Sequence, residues 1–557
     1  MGVVCRLVTA FALASAGAQA AGQWVQILGT PFRVYSNAGD QNARAVFSQL
    51  EEFRTTFSMA AGVADPKLVW PLAVVAVRHE GDAGPALPTP TLGRDALLVT
   101  VPAKGPLPPA LFERLARMLV DQNLKPLPAE EDAGLVAMLS GYSSVSVHVT
   151  IHPPDTAGRT RDWGRIYHLF ANPATRDQLG VYLSNLMQGA DRETAYRNAF
   201  RRSGKDMEAE LDLFLHSAVF PDITFSGRPL SPIRDYRIAT LDEDDASLLL
   251  ADLMLARGDT GVGAAYAKLS GASAEEGRGL AALAARDAAT ARREFAAAAK
   301  SNSKNARIYY EAALLDGTTP QAREKFLAAA QYNPRWVAPL LGLANLETAP
   351  AEKVKWLDKA AALTPRDAAL WRKLAETAIS AQEYAIADRA WIGAMRATPD
   401  PATRQRLEAM REQMSSARAD AEEQQRKREE AAKTADLERV KQQTMAEIHA
   451  AEQQANRAMN PGGEKLTTQP VPYSSLESNT TKISGTLTEV VCKGKGMTLV
   501  VRGGDGSVHR LPVDDPSALT APDGTPLLPC GAVNPPRRIV VEVSAGKMPQ
   551  VLTVEFP

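Results

Sequence analysis

His148 and His152 stand four residues apart, the spacing at which two imidazoles on one helix face can hold a zinc ion. Their neighbours argue against that geometry. Val145, Val147, Val149 and Ile151 alternate with polar residues, which predicts a strand. On a strand four residues span about 13 Å, too far for one ion. The pair is read as two solvated histidines on a polar strand face. His79-Glu80 opens like the zinc motif H-E-x-x-H, but Ala83 occupies the second histidine's place. His168, close to Trp163 in a helical run, reads as a packing residue. There is no G-x-S-x-G, Walker A loop, G-x-G-x-x-G or paired C-x-x-C. The acidic pairs Glu130-Glu131 and Asp244-Asp245 are read as helix-start charges, favoured by the positive end of the helix dipole. No catalytic constellation emerges, and neither a metal nor a cofactor is expected.

Composition narrows the classes further. Lys plus Arg number 63 against 64 Asp plus Glu, so the basic surplus that nucleic-acid or anionic-membrane binding requires is missing. At 557 residues, 45% hydrophobic and 23% charged, the chain is an ordinary globular composition too long for one core. Arg6, the apolar run from Leu7 to Ala16 and the small-x-small pattern Ala18-Gln19-Ala20 read as a secretory signal over residues 1–20. The expected location is therefore periplasmic or secreted. No later run approaches about 18 apolar residues, so no transmembrane segment is expected in the mature chain. Cys5 leaves with the signal. Cys492 and Cys530 remain, and in an oxidising compartment they are either a disulfide or two buried thiols.

The elements that would position any site follow from periodicity. Short strand runs at Trp24–Leu28, Phe32–Ser36, Leu68–Val77 and Ala96–Val101 surround a helical stripe over 41–59. Two helices broken at Lys125-Pro126-Leu127-Pro128, a strand over 144–151 and a helical region over 162–218 complete an α+β domain at 21–235. From 240 to 401 the sequence is rich in Ala and Leu with short breaks. Residues 402–459 are charge-dense, with apolar Leu407, Met410, Leu437, Val440 and Ile448 too sparse for a sustained heptad. They predict one long solvated helix of about 80 Å, with a partner-binding coiled coil as the alternative. A polar linker at 460–480 leads to five strand runs in 481–557, a small all-β barrel or sandwich with a hairpin turn at Gly503-Gly504-Asp505-Gly506.

Within 240–401 a repeat is visible. Over 368–401, Trp371, Leu374, Ala375 and Ala378 fall on one helix, Ala387, Trp391 and Ala394 on the next, and Pro399 closes the unit. That is the 34-residue tetratricopeptide (TPR) pattern, in which small residues let paired helices approach and large ones fill the groove between pairs. Leu340, Leu357, Ala360 and Pro365 repeat it upstream, though Lys353 stands where a small residue belongs; Ala322, Phe326, Ala329 and Pro334, then Ala291, Phe295 and Ala298, repeat it again. A degenerate pair over 245–269 would make about four to five units, enough for a continuous solenoid core. Such arrays resemble modules that grip a protein or peptide in their groove.

The first domain carries a second resemblance. The helix over 110–123, Leu127-Pro128, the helix over 131–140, a strand, and then Trp163-Gly164-Arg165-Ile166-Tyr167-His168-Leu169 resemble the peptidase-MA-like, gluzincin-type domains found ahead of such repeats. The resemblance implies a helix bearing H-E-x-x-H and a third ligand, Glu, just before Gly-Leu on the next helix. Those positions hold Glu113-Arg114-Leu115-Ala116-Arg117 and Ala133, ahead of Gly134-Leu135. Every ligand and the general base are replaced, and Arg114 and Arg117 would repel a cation, so the domain is expected to be inactive. The leading expectation is an exported, non-enzymatic TPR scaffold for a protein or peptide partner. The rival is an envelope-associated hydrolase whose repeats present substrate, and a third possibility is a structural subunit of an envelope assembly.

Overall fold

The computed structural model describes residues 23–145, 148–217, 219–226, 236–459, 480–493, 496–513, 530–544 and 550–555. The expected signal segment and nearly all of the 460–480 linker lie outside them. The chain divides into two compact units, Met1–Ala431 and Ala432–Pro557.

The first unit begins with strands β1 (Val25–Leu28) and β2 (Phe32–Ser36), helix α1 (Asp40–Ala61), and strands β3 (Leu72–Val77), β4 (Thr91–Leu92) and β5 (Leu97–Pro102). Helices α2 (Pro109–Asn123) and α3 (Ala129–Ser140) follow, then β6 (Tyr142–Val145) and β7 (His148–Ile151). Helices α4 (Arg161–Ala171), α5 (Pro173–Arg176), α6 (Leu179–Met187), α7 (Arg192–Phe200) and α8 (Gly204–Leu215) lead to β8 (Ile223–Ser226) and β9 (Ile238–Thr240). Six strands form one mixed sheet in the order β4-β5-β3-β2-β1-β9. Strands β2, β3 and β5 are parallel, and β3 reads Leu-Ala-Val-Val-Ala-Val because both of its faces are covered. On one face Phe47, Leu50, Phe53 and Phe57 of α1 join a core shared with α2, α3, α4 and α6. On the other, Ala73, Val75 and Leu98 meet Leu249 and Leu253, which belong to the first helix of the repeats.

The run over 144–151, expected as one strand, is instead part of a hairpin. Strands β6 and β7 pair antiparallel, with Val145 opposite His148, and residues 146 and 147 lie outside the described residues. Both segments alternate, so the period alone could not reveal the reversal between them.

Ten helices build the array: α9 (Glu243–Arg257), α10 (Val262–Ala267), α11 (Ala272–Ala284), α12 (Ala288–Lys300), α13 (Ala306–Asp316), α14 (Pro320–Tyr332), α15 (Val337–Leu346), α16 (Pro350–Leu363), α17 (Ala368–Ser380) and α18 (Tyr384–Ala397). They pair in sequence, the odd-numbered helix of each pair preceding its even partner. Side-chain caps start several of them: Asp242 accepts from the Asp245 N–H (2.8 Å), Asp287 from Thr290 (3.0 Å) and Asp367 from Leu370 (2.9 Å). The aromatic and small residues of the repeat pattern interlock in the core. An added Cβ would come within 2.4 Å of Phe295 at Gly279, 2.5 Å of Phe326 at Gly342 and 2.6 Å of Trp371 at Gly393. At the atypical unit, Lys353 is turned aside and Val354, 1% exposed, takes the packing place beside Leu357.

The array and the first domain are fused along the loops between pairs. Asn305, Asn333, Arg335 and Arg366, in successive loops, reach the Arg94 carbonyl (3.0 Å), the Val69 carbonyl (2.9 Å), the Gln122 carbonyl (2.7 Å) and the Asp132 carboxylate. Trp336 meets Trp70 edge-on, with ring centroids 5.0 Å apart. The most buried link is Arg94, in the β4–β5 turn, which donates to Asp252 (3.1 Å) and Glu276 (2.6 Å). Burial alone would lower the Arg94 pKa, but Asp252, Asp95 and Glu276 carry it well above its ordinary value.

Helix α19 (Pro401–Met459) is continuous. Leu407 and Met414 of its first turns join the core of the last pairs, and beyond 415 its described residues are exposed. No helix among the described residues is long and apolar enough to cross a membrane.

The second unit holds one antiparallel sheet: β10 (Thr480–Lys493), β11 (Gly496–Gly503), β12 (Val508–Val513), β13 (Gly531–Ser544) and β14 (Val551–Glu555), in the order β12-β11-β10-β13-β14. A bulge between Leu487 and Glu489 lets Leu487 and Val490, an odd number of residues apart, both enter the core with Leu499, Val501 and Val541. The Gly503 N–H bonds the Ser507 carbonyl (2.8 Å) across the expected β11–β12 turn. Cys492 and Cys530 are joined by a disulfide, with Cα atoms 5.8 Å apart.

Candidate functional site

The repeat-pattern residues lie beneath a surface rather than on it. Leu374, Ala387 and Ala394 are fully buried and Trp391 is 2% exposed. Trp371 packs over Gly393 and donates its indole N–H to the Pro365 carbonyl (3.0 Å), tying α17 to the loop before it. Pro399 is exposed in the loop to α19, where its carbonyl accepts from Arg404 (3.2 Å). These side chains fix how the helices sit. The residues between them face outward: Arg372, Lys373, Glu376 and Ser380 are exposed on α17, and Lys373 reaches Asn345 of α15 (3.5 Å). The odd-numbered helices thus present a shared outer face.

At the α19 end this face opens into a recess of about 310 Å³ lined by Ile379, Tyr384, Trp391, Met410 and Met414, with Glu376, Gln413 and Arg418 at its polar edge. Arg418 lies over the Tyr384 ring at 5.7 Å and is itself held by Glu422 (2.7 Å). Asp388 anchors Arg411 (2.7 Å), which fixes α19 against α18. The indole N–H of Trp391 is buried and has no hydrogen-bond partner. A buried donor left unpaired costs about 1–3 kcal/mol. Two thioether side chains and an aromatic ring make walls that adapt to an apolar side chain. Of the lining residues only Trp391 belongs to the repeat pattern. The spacing of Leu407, Met410 and Met414 on α19 is the sequence signal for the rest, since it places three apolar groups on one helix face.

The positions that the peptidase resemblance assigns to metal ligands lie on α2 and α3, which meet where Arg117 pairs with Asp132, the neighbour of Ala133. Glu113 and Arg114 are exposed on α2, and Ala133 is exposed on α3. Arg117 is held by Asp121 (2.5 Å) and Asp132 (2.7 Å). His148 is exposed, whereas His152 lies between the Ser143 hydroxyl (2.8 Å) and Asp222 (3.1 Å). No group of three His, Cys, Asp or Glu residues placed to hold a metal occurs among the described residues. His168 packs against Phe214, ring centroids 4.9 Å apart, and burial lowers its pKa.

Glu130 and Glu131 do more than start a helix. Glu131 is fully buried and accepts from Tyr182 (2.9 Å) and Arg192 (2.8 Å). Glu130 bridges Arg165 (3.1 Å) and Arg192 (2.5 Å). The network continues to Glu208, whose carboxyl burial would raise but which Arg165 and Arg161 bring down to about 2.

No protein-family model matches the chain, and neither does any curated protein. Among solved structures it is similar to PilF of Pseudomonas aeruginosa (19% identity over 32% of this chain and 86% of that one, TM-score 0.26). It is also similar to YrrB, a TPR protein with an unusual peptide-binding site (17%, 30% and 92%, TM-score 0.25). Yeast Tom70 matches at 14% identity over 56% of this chain and 73% of that one, with a TM-score of 0.20. The middle of this chain is a TPR-type helix-pair array, as its own paired helices and interlocked small and aromatic residues require.

Proposed function

We propose that this chain is an exported scaffold that holds a protein or peptide partner on the outer face of its odd-numbered repeat helices, at the α19 end. The observation that carries this reading is the apolar recess of Ile379, Tyr384, Met410 and Met414 beside the unpaired indole N–H of Trp391. A peptide laid across α17 would place an apolar side chain in the recess. In this reading the first domain is a peptidase-like fold without catalysis. The replacement of the motif's ligands and base by Glu113, Arg114, Arg117 and Ala133 supports it. Residues 1–20 direct export, a destination in keeping with the Cys492–Cys530 disulfide.

The test is crosslinking with mass spectrometry in the native host, comparing the intact chain with an Ile379→Asp/Met410→Asp variant. Both side chains line the recess, Met410 exposed and Ile379 half-buried at the edge of the array core. Partner crosslinks to α17–α19 should be lost while helicity and melting are retained. The same partners on the same helices in both proteins would overturn the reading.

A further inference from the structure

A larger cleft, about 930 Å³, lies between the first domain and the end of the array, where the α2–α3 loop and the α6–α7 turn face the end of α18 and the loop to α19. Its charge is lopsided. Arg117, Arg192, Arg366, Arg396 and Arg404 line it against Asp121, Glu130 and Asp132. Those carboxylates are already engaged: Asp132 is shared by Arg117 and Arg366, Asp121 serves Arg117, and Glu130 is held between Arg165 and Arg192. The donors are not all used. Arg117 Nε and Arg366 Nη1 are buried without a hydrogen-bond partner. Arg396 makes no hydrogen bond or ion pair with a described residue, and Arg404 bonds only the Pro399 carbonyl (3.2 Å). Leu127, Leu186 and Met395 add apolar wall between the cations.

We propose that this cleft binds an acidic peptide segment, with carboxylates seated on Arg396 and Arg404, and neighbouring apolar side chains against Leu127 and Met395. Guanidinium groups pair with carboxylates through two parallel hydrogen bonds, and Arg396 and Arg404 are exposed and without an ion-pair partner among the described residues. The apolar walls and the volume suit a peptide better than a small inorganic anion. Because Arg366 belongs to a repeat loop and Arg117 to α2, occupancy would bridge the two domains. The proposal is independent of the recess on α17–α19.

Fluorescence anisotropy on the full-length protein tests it, using a labelled pentapeptide of alternating leucine and glutamate, its glutamine counterpart, and inorganic phosphate as competitor. The acidic peptide should bind at least roughly tenfold more tightly than the glutamine peptide, since charge-assisted hydrogen bonds are about twice as strong as neutral ones. Arg396→Gln/Arg404→Gln should lose a similar factor with unchanged melting, because neither residue has an ion-pair partner among the described residues. Several results would overturn the cleft: no binding, equal binding of the glutamine peptide, full retention in the arginine variant, or complete displacement by equimolar phosphate.

Discussion

A single hydrogen in place of a methyl group decides how closely helices α14 and α15 approach. Gly342 faces the ring of Phe326, which is 3% exposed, and an added Cβ would sit 2.5 Å from it. Two effects oppose each other in Gly342→Ala. Alanine is the better helix former by about 0.8–1.0 kcal/mol. Against that, forcing a methyl into a packed core costs about 1–3 kcal/mol, and a buried aromatic ring has no flexible end to yield. We expect the clash to win and the melting temperature of the full chain to fall, as read by calorimetry; a rise would mean that the ring can move aside. Phe326 and its counterparts were legible in the sequence because the repeat pattern specifies large residues at fixed phase. Their glycine partners were not, because contact across two helices leaves no period in one. Lys353 shows the converse. Its mismatch is visible in the sequence, but only packing reveals that Val354 takes over.

The β4–β5 turn is the element that locks the sheet to the repeats. Arg94 lies 158 residues from Asp252 and 182 from Glu276, yet its guanidinium is buried between them. Tyr266 donates to Asp252 (2.6 Å), and Asn305 and Ser303 donate to Glu276 (2.9 and 2.5 Å), so nearly every polar group in the cluster has a partner. The same pairing with Arg94 and Arg33 holds the Asp95 carboxyl below the usual range against burial that would raise it. Arg94→Ala should therefore cost about 3–5 kcal/mol, because it strands two buried carboxylates. Urea unfolding of the full chain measures this, and a loss under 1 kcal/mol would show that water replaces the guanidinium. Nothing in the local sequence marks this turn. Short strands and helix starts follow from periodicity and caps, whereas a clasp between residues so far apart in the chain carries no spacing signature.

At the scale of the first unit, the same separation makes the domain boundary different from the composition shift. Residues 236–240 look like a linker between an α+β domain and the repeats. In the fold Ile238–Thr240 is the sheet's last strand, paired to β1 (Ile27 with Ile238), and α9 is the cover of the sheet's second face. Strand β3 explains the arrangement: with no polar residue from Leu72 to Val77, it requires apolar partners on both sides, and residues 21–235 cover the second face only in part, with Trp24, Ala83 and Leu87. The composition of β3 was thus the readable hint that a second layer existed, while the identity of that layer was not readable. A chain ending at residue 241 should fold its α1 side but leave Ala73, Val75, Leu87 and Leu98 as an exposed apolar patch, and patches of this kind drive association. Extending it to residue 257 restores Leu249 and Leu253 to that face. Light scattering should find the shorter chain self-associating at concentrations where the longer one is monomeric. If both are monomeric, the second face is satisfied without the repeats. The first domain would then be a separable module, and the repeat helix would be a neighbour of the sheet rather than part of its core.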